Sequence, residues 1–444
     1  MGGGLEGASN YKQMKINVVT LGCSKNLVDS ELFLSQMLAN GYEVSHDSAD
    51  SDARIVAINT CGFILDAKEE SVNTILEYAD AKKRGLIDKI FVFGCLSERY
   101  KDDLIAEIPE VDGFYGKFQV RKMVEDLKAD YKMSLSRQRY LTTPSHYAYL
   151  KISEGCNRTC SYCAIPRMTG AHISIPIEDL LTEARGLADK GVKELLVIAQ
   201  DLSFYGIDLY RKSKLAELVS ELSAIEGIEW IKLHYAYPAN FPYDLLPVMA
   251  ANPNVACYLD IALQHCSDKM LKLMRRNTTK AETIKLIKRV REEVPGVHLR
   301  TTMLVGHPGE TDADFDELKE FVREMRFERL GVFPYSHEED TYAGEKYKDI
   351  IPVEVKQARA DELMEIQQQI AAEINAEKIG QTMKVVIDRL EGEYYIGRTE
   401  FDSPEVDGEV LISSVQKLKV GTFYQVKITG SEDFDLYGEA KTKG

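Results

Sequence analysis

The sequence contains no hydrophobic run long enough to cross a membrane. A membrane-spanning helix needs roughly 18 or more consecutive apolar residues, and the 444-residue chain, which is 44% hydrophobic and 28% charged, has no such stretch. Its first residues, MGGGLEGASNYKQ, also lack the basic segment and apolar segment of a signal peptide. We therefore expect a globular, cytoplasmic protein of two to four domains, with Met14 as a candidate natural start.

The chain lacks an excess of positive charge. It has 55 Lys and Arg against 71 Asp and Glu, which gives a net charge of −16. RNA-binding proteins gain most of their affinity from Lys and Arg that neutralise phosphates, so they need a basic face. A net charge does not exclude a local basic patch, but it favours a cationic protein partner. Nucleic acid is therefore not expected to be the main partner.

Cysteine, in contrast, is well represented, with eight residues. In a reducing compartment these thiols are expected to be ligands or buried side chains rather than disulfides. Six of them form two trios, and the remaining two flank a predicted strand and are expected to be core thiols. The first trio is Cys23, Cys61 and Cys95, the second is Cys156, Cys160 and Cys163, and the flanking pair is Cys257 and Cys266.

Residues 14–130 alternate predicted strands with predicted helices, which indicates a parallel sheet with helical flanks. The three main strands, 15–23, 53–62 and 89–95, each end in a cysteine that has a glycine beside it. Ligands of open α/β sheets bind at the carboxyl ends of the strands, so the first trio is expected to meet at one rim. The structural alternative is three buried core thiols.

Residues 142–372 continue this alternation over six predicted strands, which favours a partial barrel of six βα units. The second trio lies in the loop after the first of these strands, at the end where such barrels hold their chemistry. The helix that begins after Thr311 has a capping-box spacing to Asp314. The six predicted strands are 147–153, 193–200, 229–237, 257–264, 297–305 and 328–336.

Residues 378–444 contain short alternating strands and predict a small antiparallel β-barrel of the OB type. This segment has nine Lys and Arg against twelve Asp and Glu, so its charge has the wrong sign for an oligonucleotide. Its acidic runs EVDGE and SEDFD are surface by default. We take them as a hypothetical docking site for a basic partner, through Glu405, Asp407, Asp433 and Asp435.

Three cysteines are an unusual number for a metal site. A structural zinc site takes four ligands, whereas a cubane iron–sulfur cluster can be held through three irons and keep its fourth iron open. The spacing C-X3-C-X2-C in KISEGCNRTCSYCAIPRMTG (151–170) resembles that of the radical S-adenosylmethionine (SAM) superfamily. The resemblance implies that SAM binds the open iron and is cleaved by one electron to a 5′-deoxyadenosyl radical.

With its second trio, the whole chain from Met14 resembles the radical SAM methylthiotransferases. The resemblance implies an N-terminal cluster domain (14–130), a radical SAM partial barrel (142–372) and a C-terminal TRAM domain (378–444). The segments LGCSKNLVDSE (21–31) and GVFPYSHEEDT (331–341) are similar to the branch that modifies a ribosomal protein. That branch adds a methylthio group to the β-carbon of an aspartate in small-subunit protein S-twelve, a basic target that suits an acidic enzyme.

Site roles carried over from this resemblance are expectations. Cys156, Cys160 and Cys163 would hold the 4Fe–4S cluster that cleaves SAM, and Cys23, Cys61 and Cys95 a second 4Fe–4S cluster that donates sulfur. Tyr162 would lie near the adenine of SAM, and Gln200 and Asp201 near its methionine part. His307 stands where relatives often have Phe and is expected to pack, and no catalytic side chain is assigned.

Two other functions fit parts of the pattern. One is a tRNA methylthiotransferase that acts on a modified adenosine beside the anticodon, and the other is a non-catalytic iron–sulfur carrier. The acidic last domain disfavours the first, and the six-strand barrel is unexplained by the second. The expected partners are the basic ribosomal protein or its subunit and an electron-donor protein, without a membrane.

Overall fold

The structure is a computed structural model that describes residues 14–49 and 51–441. The stretch ahead of Met14 lies outside the described residues. Among the helices that the structure describes, none is long and apolar enough to cross a membrane. The chain divides after Thr142 into two units, Met1–Thr142 and Thr143–Gly444.

The first unit is built on a five-stranded, wholly parallel sheet in the order β2-β1-β3-β4-β5. The three predicted strands are confirmed, but each stops one to three residues before its cysteine. The short strands β2 and β5 were not predicted, because they hold only four and two residues. The strands are β1 (Lys15–Thr20), β2 (Glu43–His46), β3 (Ile55–Thr60), β4 (Lys89–Gly94) and β5 (Gly113–Phe114).

Helices cover both faces of this sheet, so it has two apolar cores. One contains Phe33 and Met37 against Ile16 and Phe93, and the other packs Ile75 with neighbours on the opposite face. The two covered faces explain why all six residues of β3 are buried and why it begins with the apolar run Ile55–Ile58. The helices are α1 (Ser24–Ala39), α2 (Leu65–Lys83), α3 (Cys95–Arg99), α4 (Lys101–Glu107) and α5 (Val120–Asp126).

The second unit begins with a six-stranded parallel sheet whose strands follow one another in chain order. This order is that of a partial barrel and confirms the six predicted strands. A two-stranded ribbon of β7 (Ser153–Glu154) and β8 (Ile173–Ser174) flanks it. The sheet consists of β6 (Tyr147–Lys151), β9 (Glu194–Ile198), β10 (Trp230–Ala236), β11 (Val255–Ile261), β12 (His298–Val305) and β13 (Arg329–Pro334).

Helices connect these strands. The predicted capping box at the start of α13 is confirmed. The Thr311 hydroxyl accepts from the Asp314 N–H, and the Asp314 carboxylate accepts from the Thr311 N–H. The helices are α6 (Ile165–Thr169), α7 (Ile177–Asp189), α8 (Ile207–Tyr210), α9 (Leu215–Ser223), α10 (Leu245–Ala251), α11 (Asp268–Leu273), α12 (Lys280–Glu293), α13 (Asp312–Met325), α14 (Tyr342–Lys346) and α15 (Val353–Ala376).

A closed five-stranded barrel in the order β14-β15-β16-β18-β17 ends the chain. It confirms the predicted OB-type barrel, with one difference: β16 and β18 pair in parallel, and the other neighbours are antiparallel. The strands are β14 (Thr382–Glu391), β15 (Tyr394–Thr399), β16 (Val410–Ser413), β17 (Phe423–Ser431) and β18 (Leu436–Ala440). The last strand, β18, was not predicted; it begins directly after the acidic run SEDFD, which was taken as surface.

The loop between β15 and β16 packs against the first residues of β12 and β13 and against β10. Phe401 stacks on His298 with 3.8 Å between the ring centroids, and the Asp402 carboxylate pairs with Arg329 of β13. The hydroxyl of Ser403 is 3.0 Å from Nε2 of His234 in β10. The C-terminal barrel therefore covers the end of the sheet opposite to the loop that carries Cys156, Cys160 and Cys163.

This packing corrects the docking hypothesis for the acidic runs. Asp407 accepts from Tyr258 at 2.9 Å and from Arg300 at 3.3 Å, and its side chain is only 2% exposed. Asp435 accepts from the backbone N–H of Glu409 at 2.7 Å. The hypothesis is wrong for Asp407, because that carboxylate is buried and pairs with Arg300 within the unit rather than facing a partner.

Candidate metal centres

The first cysteine trio lies where three neighbouring parallel strands end. Cys23 caps α1 after β1, Cys61 directly follows β3, and Cys95 is the first residue of α3 after β4. Because β1, β3 and β4 are adjacent in the sheet, their carboxyl ends share one edge. Cys23 is exposed, and Cys61 and Cys95 are buried.

Two glycines let the backbones of this edge approach closely. A Cβ on Gly22 would lie 2.6 Å from Cβ and 2.8 Å from Sγ of Cys61, and Gly22 has a φ of +89°. A Cβ on Gly62 would lie 2.9 Å from the Leu96 backbone, next to Cys95. These approaches are shorter than side-chain carbons allow, so only glycine brings the three cysteine-bearing turns together.

Polar and positively charged side chains lie next to the cysteines at this edge. Asn26 accepts from the Cys95 thiol at 3.7 Å and from the Lys117 ammonium at 3.1 Å. Lys117 is buried and also pairs with Asp29 at 2.7 Å. Desolvation opposes ionisation of Cys23, but the charges of Lys25 and Lys117 outweigh it and lower the pKa of that thiol. Burial raises the pKa of Cys61.

The second trio lies on the loop between β7 and α6. This loop is closed at its base, where the Cys156 N–H donates to the Gly170 carbonyl at 3.1 Å. Gly155 has a φ of +82°, and a Cβ on it would overlap the Ala171 carbonyl, so the turn requires glycine. Burial raises the pKa of Cys156 to about 11 and that of Cys163 well above its ordinary value.

A buried arginine contacts this loop from across the sheet. The guanidinium of Arg276 donates to Sγ of Cys160 at 3.5 Å and to the Tyr162 hydroxyl at 3.3 Å. It also lies 4.0 Å from the ring centroid of Tyr237. A second guanidinium, that of Arg158, lies 3.9 Å from the same centroid. The sequence reasoning missed Arg276 and Tyr237, because they approach Cys160 only through the fold.

The predicted SAM contacts lie beside the same loop. Asp201 is buried and accepts from Nε of Arg158 at 2.6 Å, so it holds the segment between Cys156 and Cys160. Gln200 donates to Glu154, and its amide oxygen is buried without a hydrogen-bond partner among the described residues. Tyr162 is half-buried and packs on an apolar cluster that includes Met270. These roles in SAM binding stay predictions.

His307 packs as predicted. Its side chain is buried, Nε2 is 3.1 Å from the Ser161 hydroxyl, and Nδ1 is 3.0 Å from the Pro308 carbonyl. Its ring meets Tyr162 and Tyr335 edge-on. Burial lowers the pKa of His307 to about 4, so the imidazole is neutral at pH 7, with the proton on Nδ1 facing the carbonyl.

The other cysteines lie away from both trios. Cys266 is buried and donates to the Glu317 carbonyl at 3.5 Å, which confirms a core thiol. Cys257 is half-buried, and its backbone N–H donates to Glu400. Arg167, which stands just after the second trio, is exposed.

The donor chemistry of both trios fits iron–sulfur clusters. Each trio offers three thiols, the first at the carboxyl ends of three parallel strands and the second on one loop. Cys160 already receives a charge-assisted hydrogen bond of the kind that tunes such clusters. Within the described residues, no three His, Cys, Asp or Glu side chains stand close enough as placed to hold a single metal ion. The buried oxygen of Gln200 is a further acceptor for a bound ligand.

Comparisons with known families divide the chain in the same order. The model described as the radical SAM superfamily matches residues 150–322, and the TRAM domain matches residues 379–440. The model described as uncharacterized protein family UPF0004 matches residues 15–116. The predicted radical SAM barrel and TRAM barrel are thereby confirmed.

Curated relatives are similar over nearly the whole length. One from Bacteroides thetaiotaomicron, described as ribosomal protein uS12 methylthiotransferase RimO, is 61% identical over 433 residues, which cover 97% of this chain and 99% of the relative. One of the same description from Parabacteroides distasonis is 58% identical over 428 residues, which cover 96% of this chain and 99% of the relative.

Among solved structures, the radical SAM methyltransferase TsrM from Kitasatospora setae superposes with a TM-score of 0.56 at 13% identity. The match covers 75% of this chain and 74% of that one. The cobalamin-dependent radical SAM enzyme OxsB gives a TM-score of 0.51, also at 13% identity, over 81% of this chain and 56% of that one. These likenesses concern the fold alone.

Proposed function

The chain belongs to the family of ribosomal protein uS12 methylthiotransferases, and from this premise we propose that it adds a methylthio group to the β-carbon of one aspartate of uS12. It is a radical SAM enzyme, and its cofactors are SAM and 4Fe–4S clusters. The observation that carries the proposal is the placement of two cysteine trios, the first just after three adjacent parallel strands and the second on the loop that precedes α6.

We assign Cys156, Cys160 and Cys163 to the cluster that cleaves SAM, and Cys23, Cys61 and Cys95 to the cluster that donates sulfur. When bound, the first supplies an electron to SAM and the second holds the sulfur to be transferred. One SAM would serve as radical source and another as methyl donor. We also propose three domains: a cluster domain over residues 14–130, a radical SAM partial barrel over 142–372 and a TRAM domain over 378–444.

Residues of this chain would prepare the SAM site. The Arg158–Asp201 ion pair fixes the loop between Cys156 and Cys160, and the buried Gln200 oxygen can accept from the amino group of SAM. Tyr162, held by Arg276, offers a ring face for the adenine. A ribosomal substrate favours a cytoplasmic location, and the partner that supplies the electron there would be an electron-donor protein.

The test is anaerobic reconstitution with iron and sulfide, followed by dithionite, SAM and a synthetic peptide of the uS12 loop. Mass spectrometry should show one methylthio group on the aspartate and release of 5′-deoxyadenosine. 5′-Deoxyadenosine without a modified peptide would contradict uS12 as the substrate. No 5′-deoxyadenosine from iron-loaded protein would return Cys156, Cys160 and Cys163 to a structural role.

The ligand assignment is tested separately by iron content. Replacing all three cysteines of either trio with Ala should remove about half of the bound iron, because each trio holds one cluster. The matched control replaces Cys257 and Cys266, which should leave the iron unchanged. Full iron content in a trio variant would contradict the assignment of that trio.

A further inference from the structure

A basic and aromatic depression lies beside the loop that carries the second trio. It has a volume of about 580 Å³ and lies between α11 and α14, two helices that follow strands β11 and β13 at their carboxyl ends. Its lining combines three cations with two aromatic rings and one aliphatic side chain: Lys269, Lys272, Arg275, Tyr342, Tyr347 and Leu273. We call it the α11–α14 patch.

The charge of this patch is opposite to that of the molecule. Its lining holds Lys269, Lys272 and Arg275 and, within the part of the chain that the structure describes, no carboxylate, in a chain with a net charge of −16. Lys269 pairs with Asp314 at 2.6 Å, but Lys272 and Arg275 form no ion pair with any described residue. Arg275 instead lies 4.5 Å from the ring centroid of the exposed Tyr342. Two cations therefore remain available to an acidic partner.

Backbone hydrogen bonds join the patch directly to the cysteine loop. The N–H of Ser161 donates to the Met274 carbonyl at 3.0 Å, and the N–H of Ala343 donates to the Ser161 carbonyl at 2.7 Å. Arg275 and Asn277 have φ values of 57° and 50°. This unusual backbone turns Arg275 outward to the patch and the intervening Arg276 inward to Cys160.

We propose that the α11–α14 patch docks an acidic one-electron carrier protein. The inference rests on the proposed function, in which the cleavage of SAM needs one electron for each turnover. The carrier would be oxidised by one electron, and the group held by Cys156, Cys160 and Cys163 would be reduced by it. Opposite charges steer association, and the tyrosines add rigid contact area. The basic ribosomal target, in contrast, is repelled by this patch.

The experiment compares two reductants on the reconstituted full chain. A reduced acidic flavodoxin is the probe carrier, and dithionite is a small reductant that needs no docking surface. In the double variant K272E and R275E, we expect flavodoxin-driven release of 5′-deoxyadenosine to fall about tenfold or more at low salt. The dithionite-driven rate should stay within about twofold of the parent. K272Q and R275Q should give a smaller loss of the same kind.

The matched control is the double variant K285E and K288E. It reverses the charge of two exposed lysines on α12, a helix that connects strands of the same six-stranded sheet. It should keep both rates, because α12 does not line the patch. Equal flavodoxin-driven rates in the patch variant and the parent would overturn the proposal. A second result would also overturn it: the patch variant cleaves SAM normally with both reductants but no longer modifies intact small subunits. The patch would then bind ribosomal RNA. Absence of dithionite-driven cleavage in the parent would instead refute the proposed function.

Discussion

Lys378 is a buried ammonium group just after α15. It is 6% exposed, and Nζ donates to the Asn375 side chain at 3.1 Å. Burial outweighs the attraction of Asp402 and lowers the pKa of Lys378 from its ordinary 10.5 to about 8. At this side chain the unfolded chain therefore binds more protons between pH 8 and 10.5, and in that window the contribution of Lys378 to the stability of the folded protein rises with pH.

We predict that Lys378→Met stabilises the protein at pH 7.5, where the parent must keep a charged amine buried. The lost hydrogen bond to Asn375 offsets part of this gain. As the pH rises to 10 the parent loses the charge, and the advantage of the variant should shrink by about 2 kcal/mol. Urea unfolding at both pH values measures the difference. Lys417→Met, at an exposed position, is the control, and an advantage that grows with pH would contradict the prediction.

Arg276 illustrates a residue that the sequence could have suggested but did not. Adjacent arginines in LMRRNTT (273–279) follow the fourth strand of the six-stranded sheet, so they were within reach of the chemistry. What decides between them is the positive φ of Arg275, which sends one guanidinium outward and the other to Cys160. Such a backbone choice is set by tertiary contacts and leaves no periodic pattern in the sequence.

At the scale of elements, the junction between the six-stranded sheet and the C-terminal barrel is held by buried charges. Arg398 of β15 donates to Glu194 at 3.0 and 2.8 Å and to Asp388 at 2.7 and 3.0 Å. Lys232 of β10 pairs with the same Glu194 at 2.7 Å. Desolvation opposes ionisation of Glu194, but the charges of Arg398 and Lys232 outweigh it and lower its pKa to about 2.

We predict that Arg398→Met destabilises the protein by about 3–5 kcal/mol, because it leaves two buried carboxylates with too little positive charge. The control is Arg389→Met in the neighbouring strand β14. The side chain of Arg389 is 47% exposed and pairs with Glu409. It should cost less than about 1 kcal/mol. Chemical denaturation at pH 7.5 measures both, and equal costs would show that the buried network contributes nothing special.

The strands were predictable because apolar runs bounded by turns carry a strong local signal. All six strands of the partial barrel and three of the five N-terminal strands were found, with ends within about three residues. The β15–β16 loop was misread for the opposite reason. Its acidic residues look solvated in isolation, and the cations that neutralise them, Arg300 and Arg329, lie more than seventy residues away in sequence.

At the scale of the whole molecule, two partners of opposite charge must reach one enzyme. The net charge of −16 attracts the basic ribosomal protein, whereas the α11–α14 patch attracts an acidic carrier at one local surface. The C-terminal barrel lies at the other end of the sheet. Two of its carboxylates, Asp407 and Asp402, form ion pairs with arginines of the same unit. The overall negative field therefore attracts the substrate, and Asp407 of the acidic runs takes no part in docking it.

This separation predicts how salt acts on turnover. With dithionite as reductant, raising KCl from about 50 to 300 mM should increase the KM for a basic uS12 peptide several-fold and leave kcat unchanged, because screening weakens long-range attraction but not the chemistry. The K272E and R275E variant should show an equal or lower KM, since it loses repulsive charge. Rates of 5′-deoxyadenosine release without peptide serve as the control for general salt effects. A KM that is independent of salt would mean that short-range contacts alone bind the peptide, and a higher KM in the variant would place the peptide on the patch itself.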